Sequence, residues 1–251
     1  MSVPGAAMAF SLRPLGLLGT LDHAVRLFVR TFAECLVTVL AVSGPFYVIN
    51  TLLDRAAHAG MLDEGVAALC NILIFVCYFF LLVPLQQGII TPLLAAEYLG
   101  EPISRVEAFR LARARFWRLV RARLLRYVLV LAGLPVFLVL GMWLYVRYFF
   151  VEEVVILENT TPSRALGRSG QLSPHVFWMI LLTSALFLAG SLAAFLHLDD
   201  MQDPMLRMSL EVALSVLLVP AELAVNCVLY FSARCRKEGF GDQVAAMRDE
   251  A

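Results

Sequence analysis

The sequence predicts an all-α protein, a polytopic membrane helix bundle of about six transmembrane helices with amphipathic interfacial helices at the N-terminus and in mid-chain. Hydrophobic residues make up 61% and charged residues 16% of its 251 residues, and the mean hydropathy is +0.80. Soluble domains average about 45–50% apolar and about 25% charged residues. Most of this chain is therefore expected to contact lipid. Long apolar runs and an uneven distribution of basic residues among the connecting segments support the same fold.

The N-terminal segment 17–31 is predicted to be an amphipathic helix that lies in the membrane surface. Leu17, Leu21, Val25 and Phe28 recur with helical spacing on one face, while charged residues occupy another. An apolar face opposite a charged face is typical of interfacial helices. A plain extension of the first span is the alternative interpretation.

Six apolar runs approach the roughly 20 residues that a transmembrane helix needs. The predicted spans are 32–53, 66–96, 119–140, 142–158, 176–196 and 209–231. Within the second span, Gln86 and Gln87 are expected to face the bundle, because an amide without a partner in hydrocarbon is costly.

The mid-chain segment 104–118 predicts a basic interfacial helix. Ser104 and Glu107 have the spacing of a capping box, which predicts a helix start. The arginines that follow suit an anionic leaflet, where each basic side chain gains about 1 kcal/mol. The candidate lipid-headgroup contacts are Arg110, Arg113, Arg118 and Arg121. Nucleic-acid binding is the other explanation of an arginine cluster, but spans on both sides of the segment argue against it.

From Leu119 to Leu157 the chain is almost continuously apolar over 39 residues, which admits one long span or two short ones. Two spans joined by a tight turn are favoured, with Gly133, Pro135 and Gly141 as candidate break points. With two spans, the arginine-rich segment, the loop around 164–168 and the basic tail 232–251 all fall on one side of the membrane. The positive-inside rule then places both termini in the cytoplasm.

Four ionisable residues are expected inside the spans: Arg147, Glu152, Glu153 and Glu222. Charges within a membrane are costly and usually face a bundle interior or a water-filled cavity. One interpretation is a polar pathway or a lipid-headgroup site. The preferred interpretation is a structural polar cluster that fixes how the helices pair.

Four local patterns carry a resemblance to a known family. They are RPLGLLGTLDHAVRLFVRTF, YLGEPISRVEAF, VRYFFVEEVVILENTTPSRALGRSGQLSPHVFW and LYFSARCRKEGFGDQV. Together they resemble the bacterial six-helix membrane domain that is fused to some glycerophosphodiester phosphodiesterases and also occurs alone. The resemblance implies a six-helix membrane domain, while the phosphodiesterase activity belongs to a separate soluble domain and is not expected here. The chain departs from that family at Glu152 and Glu153, where the family is usually apolar.

The sequence contains no HExxH, GxSxG, P-loop or GxGxxG pattern in a suitable context, so no catalytic, cofactor-binding or metal-ligating residue is predicted. The expected function is that of a non-enzymatic multi-pass inner-membrane protein, a scaffold or accessory subunit or a factor in membrane-lipid homeostasis. The alternative is a transporter or lipid-handling protein that uses the intramembrane Arg/Glu cluster. Lipids of the anionic leaflet are the expected partners. A membrane-protein partner or a homo-oligomer is left open, and nucleic acid is not expected.

Overall fold

A computed structural model describes residues 10–133, 138–199, 201 and 203–249. All regular secondary structure within these residues is helical, which confirms the predicted all-α class. The α-helices are α1 (Leu17–His58), α2 (Glu64–Cys77), α3 (Val83–Leu99), α4 (Arg105–Gly133), α5 (Leu138–Arg147), α6 (Val151–Leu157), α7 (Pro162–Leu172), α8 (Phe177–Asp199), α9 (Pro204–Glu238) and α10 (Phe240–Asp249). A π-helical turn, Tyr78–Leu82, joins α2 to α3, and a 3₁₀ turn, Ser173–Val176, joins α7 to α8.

Four helical runs are long and apolar enough to cross a membrane. They are Leu17–Ala57, Gly65–Leu99, Pro162–Leu198 and Met205–Glu238. The second run combines α2, the π turn and α3, and the third combines α7, the 3₁₀ turn and α8. The expected membrane character is thus supported by four helices within the described residues, and the predicted number of six is not confirmed.

The predicted third and fourth spans, 119–140 and 142–158, form a helical hairpin made of α4 and α5. A side-chain carbon on Gly133 would stand 2.6 Å from Leu144 Cδ1 and 3.5 Å from Gly141 Cα, so the two arms touch through glycine. Residues 134–137, which include the candidate break point Pro135, lie outside the described residues. At 1.5 Å per residue the 10 residues of α5 cover about 15 Å, half of the hydrocarbon thickness. α5 is therefore a short arm followed by a break, and the full fourth span 142–158 is not confirmed.

The two predicted interfacial helices are not separate elements in the structure. Segment 17–31 is the N-terminal part of α1, which continues without a break for 42 residues, or about 63 Å. Segment 104–118 likewise forms the start of α4, which continues to Gly133. The helix begins where the capping pattern predicted, because Ser104 Oγ accepts the amide N–H of Glu107 at 3.2 Å. The alternative interpretation of 17–31, an extension of the first span, fits this continuity.

Buried side chains are concentrated at one end of the bundle, here called the packed base. The base consists of the first half of α1, α3, α6, α7 and the last third of α9. Almost every residue from Gly88 to Ala95 in α3 and from Leu223 to Ala233 in α9 is buried. Apolar side chains of α2 and α8, such as Leu69 and Leu186, are instead largely exposed. Apolar surface of that extent needs a cover such as lipid, whereas the base is packed like a soluble core.

The packing of α3 on α4 depends on a glycine, which gives a first testable prediction. A side-chain carbon on Gly88 would lie 2.9 Å from Leu119 Cδ1 and 3.1 Å from Ala112 Cβ. Gly88→Leu should therefore lower the free energy of unfolding by about 1–3 kcal/mol through overpacking, measured as a lower thermal unfolding midpoint in detergent.

Gly190→Leu is the matched control, because Gly190 is also helical and has no atom within 4 Å of the added carbon. The control should keep or raise the midpoint, since leucine is the better helix former. Equal losses in both variants would show that α3 and α4 do not meet at Gly88.

Candidate polar cavity in the helix bundle

The candidate site lies next to a break in an apolar helix. α5 ends at Arg147 and α6 begins at Val151, so three residues separate the two helices. The amide of Phe150 donates to Ser169 Oγ at 3.1 Å, and the carbonyl of Arg147 accepts from Ser169 Oγ at 3.0 Å and from Ser173 Oγ at 3.1 Å. Irregular backbone is tolerated in an apolar setting when neighbouring groups satisfy it. The break places Glu152 and Glu153 in the first turn of α6, on the inside of the bundle.

A buried ion pair joins α4 to α6. Arg123 Nε donates to Glu152 Oε1 at 3.0 Å and Arg123 Nη2 to Glu152 Oε2 at 2.9 Å. The two side chains are only 4% and 2% exposed. Because both charges leave water, the pair is stabilising only if its remaining donors are also satisfied.

The remaining donors of Arg123 reach the second helical run. Nη2 also donates to Gln87 Oε1 at 2.6 Å, and Nη1 donates to the backbone carbonyl of Phe79 at 3.1 Å. That carbonyl is free because of the local register: the amide of Val83 bonds to Tyr78 in the π turn, and the next residue, Pro84, has no N–H. The π turn and the proline thus create the acceptor that the arginine uses.

A second arginine, Arg126, lies one turn further along α4 and is 7% exposed. Its guanidinium stands over the rings of Tyr145 and Phe149, at 5.2 Å and 5.6 Å from their centroids. Within the described residues, its buried Nε has no hydrogen-bond partner, and neither does Oε2 of the buried Glu153. Buried polar atoms in native proteins nearly always have partners, so each of these two atoms needs an explanation.

Both atoms belong to side chains that line one cavity of about 210 Å³. The polar lining residues are Gln87, Arg123, Arg126, Glu153, Glu222 and Asn226. Aromatic side chains complete the wall: Phe79, Tyr127, Tyr145 and Phe149. At about 30 Å³ per water molecule the space equals that of about seven waters. Glu222, which also lines the cavity, is partly open to the outside.

The structure brings together three of the four ionisable residues that were predicted inside the spans. Glu153 and Glu222 line the cavity, and Glu152 lies behind them in its ion pair. Arg147 lies apart and is exposed, with its guanidinium 4.7 Å from the ring centroid of Trp143. The grouping of Arg147 with the glutamates is therefore corrected, because Arg147 belongs to α5 while Glu152 and Glu153 belong to α6, beyond the break.

The basic members of the site are Arg123 and Arg126, which the sequence interpretation missed. Both lie inside the predicted span 119–140, but the density of arginines before them favoured an interfacial assignment. The available signal was the apolar stretch that begins here: Leu124 and Leu125 separate the two arginines, and Tyr127 follows them. A charge in such a stretch predicts a side chain that faces the bundle.

The four arginines predicted to contact lipid headgroups lie on the N-terminal part of α4, away from this cavity. Arg110, Arg113 and Arg121 are exposed and Arg118 is half-buried. Their exposure fits a lipid contact, which stays a prediction.

No protein-family model, curated protein or solved structure matches this chain. The resemblance to the six-helix membrane domain therefore rests on the quoted motifs and stays a prediction. Within the described residues, no group of three His, Cys, Asp or Glu side chains is placed to hold a metal ion.

The ion pair between Arg123 and Glu152 gives a second prediction. Arg123→Met and Glu152→Leu should each destabilise the fold by about 3–5 kcal/mol, because each leaves an uncompensated buried charge. The double variant should lose much less than the sum of the two. Reversible unfolding in mixed detergent micelles measures all three values.

The exposed pair Arg26–Asp22 is the control, with side chains 60% and 52% exposed. Its double-mutant cycle should give a coupling below about 1 kcal/mol. Additive losses at Arg123 and Glu152 would mean that the two charges do not depend on each other.

Proposed function

We propose that this chain is a multi-pass membrane protein that binds a small zwitterionic group in the Arg/Glu cavity, as a transporter or a lipid-handling protein does. The observation that carries the proposal is the pair of buried atoms without partners, Arg126 Nε and Glu153 Oε2, in one cavity. Of the two functions that the sequence left open, this arrangement supports solute or lipid handling over a purely structural scaffold.

The polar lining matches a ligand that carries both charges. Arg126 offers an N–H to an anionic oxygen such as a phosphate or carboxylate. Glu153 and Glu222 offer acceptors to an ammonium group, and the rings of Tyr127 and Tyr145 add cation–π attraction. The free solute and a phospholipid headgroup share this chemistry, and the volume accommodates a group of about ten heavy atoms or fewer.

The proposed setting is a bacterial inner membrane, with both termini in the cytoplasm. α1, the run from α2 to α3, α8 and α9 cross the membrane, while the α4–α5 hairpin enters from the cytoplasmic side and returns. Such a hairpin returns to the side from which it enters, so the segments after it lie on the same sides of the membrane as they would after two full spans. The loop-charge argument therefore holds equally for two short arms. The ion pairs of Arg168 with Glu158 and Glu238 support a common side for residues 164–168, which lie in α7, and the basic tail.

Ligand binding is tested by thermal unfolding of the purified chain with two sets of probes. Free O-phosphoethanolamine and glycine represent a solute, and nanodiscs of phosphatidylethanolamine against phosphatidylcholine represent a headgroup. At least one set should raise the unfolding midpoint, with the ethanolamine lipid ahead of the choline lipid because only its ammonium donates hydrogen bonds. Arg126→Gln should weaken that binding about tenfold, since a hydrogen bond to a charged group contributes about 1.5–3 kcal/mol.

The matched control is Arg147→Gln, which removes an arginine outside the cavity and should leave binding unchanged. A shift with the free probes alone assigns a solute, and a shift with the ethanolamine lipid alone assigns a headgroup. No shift in either set, or an equal shift in Arg126→Gln, would overturn the proposal.

Topology gives a further prediction that single cysteines can check in cells. A cysteine introduced at Met61, in the loop after α1, should react with an impermeant maleimide from outside. Cysteines at Ser163 and at Val139, near the tip of the hairpin, should not react. The unmodified chain, with its five native cysteines, provides the background.

Labelling at Ser163 with none at Met61 would reverse the orientation. Labelling of a cysteine at Val139 from outside would instead support the six full spans predicted from the sequence.

A further inference from the structure

A second site lies on the outside of the bundle, in a groove of about 570 Å³ between α4 and the start of α7. Its walls contain two arginines, Arg118 and Arg121, and three apolar side chains, Leu124, Leu125 and Val128. The hydroxyl-bearing residues Thr161 and Ser163 face them across the groove.

The charged and apolar lining residues are arranged in the same order as the headgroup and the acyl chain of a phospholipid. The two guanidinium groups occupy one end, and the apolar side chains follow over the next two turns of α4. From Arg118 to Val128 the helix rises about 15 Å, the order of length of an acyl-chain segment beneath a headgroup. Leu124 and Val128 are 48% and 53% exposed, so their apolar surface is available to a chain laid along the helix.

In the part of the chain that the structure describes, neither arginine of this groove is ion-paired with a carboxylate. Arg118 Nη1 donates to the amide oxygen of Asn159 at 3.0 Å, and Arg121 Nε donates to the carbonyl of Trp117 at 3.1 Å. Both acceptors are neutral. By contrast, Arg105 at the start of α4 and Arg168 in α7 are ion-paired with glutamates. The groove therefore presents net positive charge at one end only.

Trp117 indicates the level at which the two-arginine end of the groove lies relative to a membrane. Its side chain is 64% exposed and adjoins Arg118 in the sequence. Exposed tryptophans of membrane proteins favour the level of the headgroups. The end of the groove that holds the two arginines is therefore expected at the level of the headgroups.

We infer that this groove is a binding site for an anionic glycerophospholipid. The phosphate lies between Arg118 and Arg121, and one acyl chain lies along Leu124, Leu125 and Val128. The site uses no residue of the Arg/Glu cavity and stands independently of the function proposed for that cavity.

Native mass spectrometry of the purified chain tests the site with dioleoyl-phosphatidylglycerol and dioleoyl-phosphatidylcholine as probes. The wild-type chain should retain the glycerol lipid in preference to the choline lipid. Arg118→Gln with Arg121→Gln should weaken retention of the glycerol lipid at least about tenfold, the effect of losing one charge-assisted contact. Millimolar sn-glycerol 3-phosphate should not displace the lipid, because it lacks the chain.

The control is Arg26→Gln with Arg147→Gln, which removes the same charge from two exposed positions outside the groove and should change retention less than about twofold. A third pair, Leu124→Ser with Val128→Ser, keeps both charges and should also weaken retention. Its outcome does not depend on whether the arginine variant folds.

Three results would overturn the inference. Equal losses in the two arginine pairs would indicate diffuse attraction to the leaflet. Unchanged lipid retention in the serine variant would show that no acyl chain lies along Leu124 and Val128. Displacement by sn-glycerol 3-phosphate would make the ligand a free phosphate compound.

Discussion

The buried ion pair between Arg123 and Glu152 is the interaction on which the rest of the site depends. It connects the π turn, α3, α4 and α6, because the guanidinium bonds to Phe79, Gln87 and Glu152 together. A charge pair out of water stabilises a fold only when its donors are satisfied, and here three elements supply the acceptors. α6 is thereby held with Glu153 in the wall of the cavity that Arg126 also lines. The satisfied ion pair thus positions Glu153, whose Oε2 has no hydrogen-bond partner in the described part of the chain.

Two local irregularities make this arrangement possible in an apolar chain. The π turn followed by Pro84 frees one backbone carbonyl, and the break between α5 and α6 brings two glutamates inward. Ser169 and Ser173 satisfy the backbone at the break, so the cost of irregular structure is small. The site lies beside the packed base, where the tightly packed helices give way to apolar surfaces. A polar cavity at such a boundary suits a ligand that is itself partly polar.

Much of this could be predicted from the sequence, and the omissions have a common cause. Gln86 and Gln87 face the bundle as predicted, since an amide in an apolar run needs a partner. The glutamates of the cavity were found for the same reason. The break after Arg147 was missed because the run around it is apolar throughout, and the groups that stabilise the break belong to another segment. Arg123 and Arg126 were missed because their local neighbourhood is basic, and only tertiary packing separates them from the surface arginines of the same helix.

Density in the Arg/Glu cavity tests the central claim most directly. An electron cryo-microscopy map of the chain in a lipid nanodisc, at a resolution that shows side chains, would reveal how Arg126 and Glu153 are satisfied. The expected result is the bidentate contact of Arg123 with Glu152 and non-protein density that bridges Arg126 Nε and Glu153 Oε2. A direct ion pair between Arg126 and Glu153 in a closed, empty space would contradict it.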